Sequence, residues 1–289
     1  RAGTVPKPAN FACGACGSVQ PLVTSVEATK KTAPASIYAV QGYAPRRDKA
    51  GKPYSGRFFA AVDATHVRQY GEALREWDSR RDDDLDGYWP RSEIPFGHMT
   101  HQRQPLPRHG YTDWSDMFNV RQLLIHAQLL KAIVNIGEYS WTAREFVLGA
   151  FQQYLRNQNS FCFWDGGYDK LVPHMSNNNF HPKSNVVENC VFSVLGRGNW
   201  ESCVEGIIQG REWAAQPWDI ASPDMLKRHL PTLASQLTGK SEKVFTGDSV
   251  GEVGVYQASS TELSHIESSS LDLVITDPPF GGLLHYSEL

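Results

Sequence analysis

The sequence predicts an α/β chain in three parts, and three observations carry that expectation. Leu271, Leu273, Val274 and Ile275 form an apolar run continuous enough for a strand buried on both faces of a parallel sheet. Ahead of it, residues 63–240 hold apolar positions at three- and four-residue spacing, the pattern of helices packed on one face. Residues 1–62 instead carry short runs broken by Gly and Pro around a Cys-x-x-Cys turn, which reads as β-rich and turn-rich. The expected parts are therefore 1–62, a mainly helical 63–240, and a sheet that begins near 241.

In chain order, Phe11 to Gly17 reads as a knuckle, and Ser36–Gln41 and Gly56–Val62 read as strands. Arg46 to Pro53 between them reads as a basic turn. Val67, Tyr70, Leu74 and Trp77 predict a helix capped by Asp63 or Thr65. A long connection follows, from Arg80 to about Tyr111. The clearest helix covers 113–136, with Asp113 or Ser115 as cap and Phe118, Leu123, Ala127, Leu130, Ile133 and Val134 on its apolar face. A second spans 142–157, and further helices are expected over Asn185–Leu195 and Ser202–Trp213. From Lys243 short strands return at 243–246, 253–257 and 270–276. No internal repeat is visible.

With 40% hydrophobic and 20% charged residues the 289-residue chain is not disordered, and its length suffices to bury a core. Net charge is −3, which excludes a uniformly basic nucleic-acid binder, yet the two ends differ. Residues 1–60 hold nine Lys/Arg against two acids, whereas 241–289 hold one Lys against eight. No apolar run approaches the roughly 20 residues of a membrane span, and no signal peptide opens the chain. The five Cys are odd in number and scattered, a pattern of a reducing, cytoplasmic setting with no membrane partner. A start at Arg1 and an end at Leu289, just past the most informative motif, lead us to expect a fragment.

Cys13-Gly-Ala-Cys16-Gly17 has the spacing of a zinc knuckle. Two intervening residues let both thiols face one ion, and Gly17 permits the tight turn. Four ligands are needed, and Cys162, Cys190 and Cys203 read as buried thiols. His66 and His98 are isolated. A redox Cys-x-x-Cys is the alternative, and it would want a helix immediately afterwards, which Ser18-Val-Gln-Pro21 does not offer. Around the knuckle, Lys30, Lys31, Arg46, Arg47, Lys49, Lys52 and Arg57 could neutralise phosphates, or form a solvated basic face. Arg46, Arg47, Lys49 and Lys52 are the chosen nucleic-acid contacts. Trp89, His98, His101, Arg103, Arg108 and Trp114 are a weaker candidate surface. Neither a nucleophile elbow nor a phosphate loop is present.

Asp277, Pro278, Pro279 and Phe280 stand where open α/β sheets place their ligands, at the carboxyl end of a strand. Two prolines cannot continue a ladder, so they stiffen the turn and leave carbonyls without competing N–H groups. A carboxylate beside those carbonyls is a cluster of acceptors suited to an exocyclic amino group, and the Phe280 ring supplies a plane for a base.

These four residues resemble the Asp-Pro-Pro-aromatic motif of amino-methylating nucleic-acid methyltransferases. His285-Tyr-Ser-Glu-Leu289, Asp116-Met-Phe-Asn-Val-Arg-Gln-Leu-Leu124 and Arg156-Asn-Gln-Asn-Ser-Phe-Cys-Phe-Trp164 extend the likeness to adenine-specific DNA methylases containing a zinc ribbon. The resemblance covers most of 11–289. It implies an α/β, Rossmann-like S-adenosylmethionine-dependent methyltransferase, present in part, with a zinc-ribbon-like basic segment (1–62), a helical insertion contacting DNA (63–240) and the start of the catalytic half (241–289). It implies S-adenosylmethionine and a structural zinc as cofactors, with the other zinc ligands upstream of Arg1. Double-stranded DNA, and other subunits of a restriction or anti-phage system, are the implied partners.

Within that resemblance Asp277 accepts the hydrogens of the N6 amino group of an adenine flipped from the duplex, the Pro278 carbonyl assists, and Phe280 stacks on the base. Three departures stand out. Ala258-Ser-Ser260 replaces the group's Gly-Asp-Ala, Gly281-Gly-Leu-Leu284 replaces Tyr-Asp-Asn, and the Gly-rich loop that binds the cofactor is missing, expected upstream of Arg1. N4-cytosine methylation remains an alternative, as does a non-catalytic DNA-binding or scaffold subunit. RNA or a protein Gln amide would be further substrates for the same acceptors.

Overall fold

The computed structural model describes residues 6–7, 9–32, 36–47, 49–51, 53–102, 105–137, 140–167, 170–173, 186–192, 197–221, 242–245 and 258–277. They fall into two units, one within 1–201 and the other within 202–281. The class is mixed α/β. Among the described residues every sheet is a two-stranded antiparallel pair.

The first unit opens with β1 (Asn10–Ala12) paired to β2 (Val19–Pro21). A helix absent from the sequence reading, α1 (Leu22–Thr29), follows directly. Val23, Thr24, Val26 and Thr29 are poor helix formers, so this helix leans on tertiary contacts. Lys30 closes it in the left-handed region at φ 58°, and the Thr32 N–H donates to the Gly110 carbonyl at 3.3 Å. Gly110, at φ 84°, lies so close to Lys31 and Thr32 that a Cβ there would collide with their backbone.

The expected strands at 36–41 and 56–62 belong to a longer hairpin, β3 (Ala39–Arg47) and β4 (Pro53–Ala61). The ladder reaches Arg47 opposite Pro53, so Arg46 and Arg47 end a strand instead of lying in the turn. Gly42 faces Phe58 across the ladder, and the Phe58 ring covers it so closely that a Cβ would overlap the ring.

Helix α2 (Ala64–Arg80) starts at the expected cap. One Asp63 carboxylate oxygen accepts the Thr65 and His66 N–H groups at 2.9 and 3.1 Å, while His66 Nδ1 accepts the Asp63 N–H. Its last turn buries Trp77. Among its described residues, the connection that follows has neither α-helix nor strand. It contains one π turn (His98–Gln102) and two 3-10 turns (Leu106–His109 and Trp114–Met117).

Helix α3 (Val120–Val134) begins later than Asp113 or Ser115. Asn119 is the cap: its side-chain oxygen accepts the Gln122 N–H at 2.9 Å and Gln122 Oε1 accepts the Asn119 N–H at 3.0 Å. Satisfying two orphan donors reciprocally fixes the start there. Ser140 caps α4 (Trp141–Leu155), close to the predicted span. The β5 (Phe163–Asp165) and β6 (Lys170–Val172) pair comes next.

Two apolar clusters hold this unit. One joins Ile94, Leu106, Tyr111, Met117 and Phe161; the other joins Trp77, Leu85, Leu123, Leu124 and Ala127. Phe118 packs against both, which ties the long connection to α2 and α3.

The expected helix over Asn185–Leu195 is corrected for 186–192, which are not helical. Their polar groups go to distant partners. The Val187 N–H donates to the Cys162 carbonyl, the Val191 carbonyl accepts the Trp200 N–H, and Glu188 pairs with Arg121. Such bonds need backbone groups that a helix would consume.

Helix α5 (Trp200–Ala215) carries the chain into the second unit, where β7 (Trp218–Ala221) pairs with β8 (Glu242–Phe245). The strand expected at 243–246 thus exists at 242–245, in an antiparallel pair. Lys243 Nζ sits 3.9 Å from the Trp218 ring centre. The expected strand at 253–257 lies outside the described residues.

Residues 258–277 correct the remaining strand. They run through turns at Ser259–Glu262, Leu263–Ile266 and Glu267–Ser270, with no strand at 270–276. Leu273, Val274 and Ile275 are exposed. An apolar run becomes a two-face-buried strand only when neighbouring strands pair with it, and none of the described residues does so. The described parts therefore contain no parallel sheet.

Candidate functional site

One sequence-predicted site is described whole and a second only at Asp277, and a further polar centre emerges that the sequence did not announce. The first is the knuckle between β1 and β2. The Cys13 N–H donates to the Ser18 carbonyl at 2.9 Å and the Gly17 N–H to the Cys13 carbonyl at 2.8 Å, closing a tight turn. Gly17 adopts φ 74°, the left-handed conformation expected of it. Cys13 is half-buried and Cys16 exposed.

The Ser18 hydroxyl lies 3.5 Å from Cys16 Sγ. Together with the Ser18 N–H and the Cys13 thiol it favours the thiolate, drawing the Cys16 thiol down to about 7. A thiolate is what a zinc ion requires. The turn fits half of a four-ligand site. No group of three or more His, Cys, Asp or Glu able to hold an ion occurs among the described residues. The chain goes from the knuckle into β2 before α1 begins, so no helix starts immediately after the motif. Cys162 and Cys203 are buried as read, but Cys190 is exposed.

The second site is the Asp-Pro-Pro-Phe motif. Asp277 is described and exposed at the end of the turn-rich stretch. Pro278, Pro279 and Phe280 lie outside the described residues, as does the Tyr286–Leu289 tail.

Of the expected phosphate contacts, Lys49 is exposed at the hairpin tip, Arg46 and Arg47 end β3, and Lys52 lies outside the described residues. Lys31 is corrected. Its ammonium donates to Asp113 at 2.8 Å and Asp116 at 3.0 Å, pinning the end of α1 to the 3-10 turn. The second surface is also corrected at its aromatic members. Trp89 stacks edge-on against buried Trp77, and Trp114 packs on the first apolar cluster. Arg103 lies outside the described residues.

The unannounced centre lies between α3 and α4. Buried His126 sits between Tyr154 and the Gln158 carbonyl, with Nδ1 3.0 Å from the Tyr154 hydroxyl and Nε2 2.9 Å from the Gln158 oxygen. The neutral Nε2–H tautomer satisfies both neighbours. Burial disfavours the charged imidazolium and draws the ring down to about 4, against the raising effect of the Gln158 carbonyl. Gln158 is fully buried, and its amide N–H groups reach the Gly198 and Cys190 carbonyls.

This centre gives the family-like stretches a physical role. In 116–124, Asp116 receives the Thr112 and Asp113 N–H groups, Asn119 and Gln122 cap α3, and Arg121 Nε donates to Glu188 at 2.7 Å. In 156–164, the Gln158 amide donates to the Gly198 carbonyl and the Asn159 amide to the Leu155 carbonyl at the end of α4. These residues tie segments together. The only sequence signals available for them were a His on an apolar helix face and polar residues amid aromatics.

No family model, no curated protein and no solved structure matches this chain.

Proposed function

We propose that this chain is part of an S-adenosylmethionine-dependent DNA methyltransferase acting on the N6 amino group of adenine. One observation carries the reading: the apolar run 271–275 delivers Asp277-Pro278-Pro279-Phe280, followed by Tyr286-Ser-Glu-Leu289. When bound, S-adenosylmethionine supplies the methyl group. No described residue is assigned to hold it. Asp277 and the Pro278 carbonyl accept the amino hydrogens and orient the nitrogen, and Phe280 stacks on the flipped base. The knuckle supports the zinc-ribbon half of the reading, since Cys13 and Cys16 sit on a turn with the Gly17 geometry that two zinc-binding thiols need.

A non-catalytic DNA-binding subunit of a defence complex is the second reading. It is favoured by the exposed, unpaired 271–277 stretch and by Ala258-Ser-Ser260, which offers no acid.

Methyl transfer from labelled S-adenosylmethionine to unmethylated DNA, followed by nucleoside analysis, separates the readings. N6-methyladenine that disappears in Asp277→Ala, with DNA binding retained, is the expected result. N4-methylcytosine would move the target base, and absence of label from a folded, DNA-binding protein would overturn catalysis.

A further inference from the structure

We infer that the β3–β4 hairpin is a DNA-inserting ribbon, its distal half entering the major groove of a duplex. The inference deepens the DNA reading above and rests on it. Three features of the hairpin carry it.

Its architecture comes first. Nine residues on each strand, at about 3.4 Å each, give a ribbon about 30 Å long. Among the described residues it has only two strands, with no third pairing to either edge. The major groove, about 12 Å wide, admits a two-stranded β-ribbon of this kind.

Charge comes second. Residues 36–62 hold five Lys/Arg and a single acid, and all five cations lie between positions 46 and 57. The register places Arg46 opposite Tyr54, Arg47 opposite Pro53 and Arg57 opposite Tyr43, so the charge gathers in the distal half. Lys49 is exposed in the turn. Such a set matches phosphates flanking a groove and requires no sequence reading.

Slimness comes third. Gly42 and Gly56 replace bulk in the ribbon, and Ala39, Ala60 and Ala61 line its base. The far edge of the Phe58 ring reaches over Gly42. Tyr38 and Phe59 stay exposed on the proximal half, at 74% and 65%, where they would meet the duplex edge as the tip enters.

A duplex is favoured over other nucleic acids on the same geometry. The major groove of duplex RNA is too narrow for side chains to read. A single strand would want a row of aromatic platforms; among the side chains described in the hairpin, the exposed aromatics Phe58 and Phe59 sit on its proximal half.

The test uses the whole chain and a mixed-sequence DNA duplex, with fluorescence anisotropy across a salt series. The variant carries Arg46→Ala, Arg47→Ala, Lys49→Ala and Lys52→Ala, with circular dichroism to confirm an unchanged fold. Removing four phosphate contacts should make the slope of log K against log salt shallower by about 3–4. Dimethyl sulfate footprinting should show guanine N7 protection, a major-groove signature, lost in the variant. A single variant, Lys49→Ala, should lower the slope by about 1 and guards against misfolding of the multiple one. Unchanged slopes, protection of adenine N3 instead, or tighter binding to single strands or duplex RNA would overturn the ribbon. The binding measurements need no cofactor, so guanine protection stands for the ribbon by itself, and a failure of methyl transfer in the separate assay supplied with S-adenosylmethionine would remove only the catalytic reading.

Discussion

His126→Phe should flatten the acid limb of the stability profile, because the wild-type ring must stay neutral to sit where it does. Its two nitrogens are matched to one donor and one acceptor, Tyr154 O–H and Gln158 C=O. Burial holds the folded ring at about 4 against an ordinary 6.5. The unfolded chain therefore takes up a proton first as pH falls. The stabilising contribution is complete above about 6.5 and is lost as pH descends toward 4. One pKa unit is worth about 1.4 kcal/mol, so between about pH 7 and 4.5 the wild type should lose about 2 kcal/mol through this ring. The variant starts less stable at pH 7, by about 1–3 kcal/mol, since the Tyr154 hydroxyl and Gln158 carbonyl lose their partner. It then lacks the His126 slope. Urea unfolding of both proteins across this range measures the difference. His109, lowered by burial and by Arg108, titrates in both and cancels. Parallel pH curves for the two proteins would refute the buried-neutral assignment.

Three further outcomes follow from single contacts. Asn119→Ala removes the α3 cap and the hydrogen bond to Glu188 and should cost about 1–2 kcal/mol in urea unfolding, while Asn119→Asp keeps the cap acceptor but sets a carboxylate against Glu188 and should recover only part of the loss. Gly198→Ala forces a side chain into the left-handed region at φ 68° and against Asn157; about 1–2 kcal/mol should be lost in a thermal melt. In metal-free protein Cys16 should be alkylated faster than Cys162 or Cys203, with the rate half-maximal near pH 7 and shifted upward by Ser18→Ala. Equal rates for exposed and buried thiols would contradict that geometry.

Much of the local structure could be read directly from the chain. The cap and span of α2, the spans of α4 and α5, the basic hairpin and the Gly17 knuckle all stand at or near their expected positions, although of the expected α2 face only Trp77 is buried. Each depends on interactions within a few residues: Asp63 reaches Thr65 and His66, and Gly17 reaches Cys13. Turn residues, caps and helical spacing record such interactions in the order of the letters.

Tertiary structure decided the rest, because the deciding partners are far apart in sequence. Asp113 was an expected cap, but Lys31 from the end of α1 engages its carboxylate, while Asn119 and Gln122 form the box that starts α3. Glu188 draws 186–192 out of a helix through Arg121, sixty-seven positions away. The run at 271–275 carries the same apolar letters whether or not strands flank it, and its exposure shows that composition sets the tendency to be buried while neighbours decide burial itself. By itself the sequence determined the chemical candidates, two thiols on one turn and a carboxylate before two prolines. Only the folded chain set His126 between Tyr154 and Gln158, because a buried polar group is specified by the partners that satisfy it.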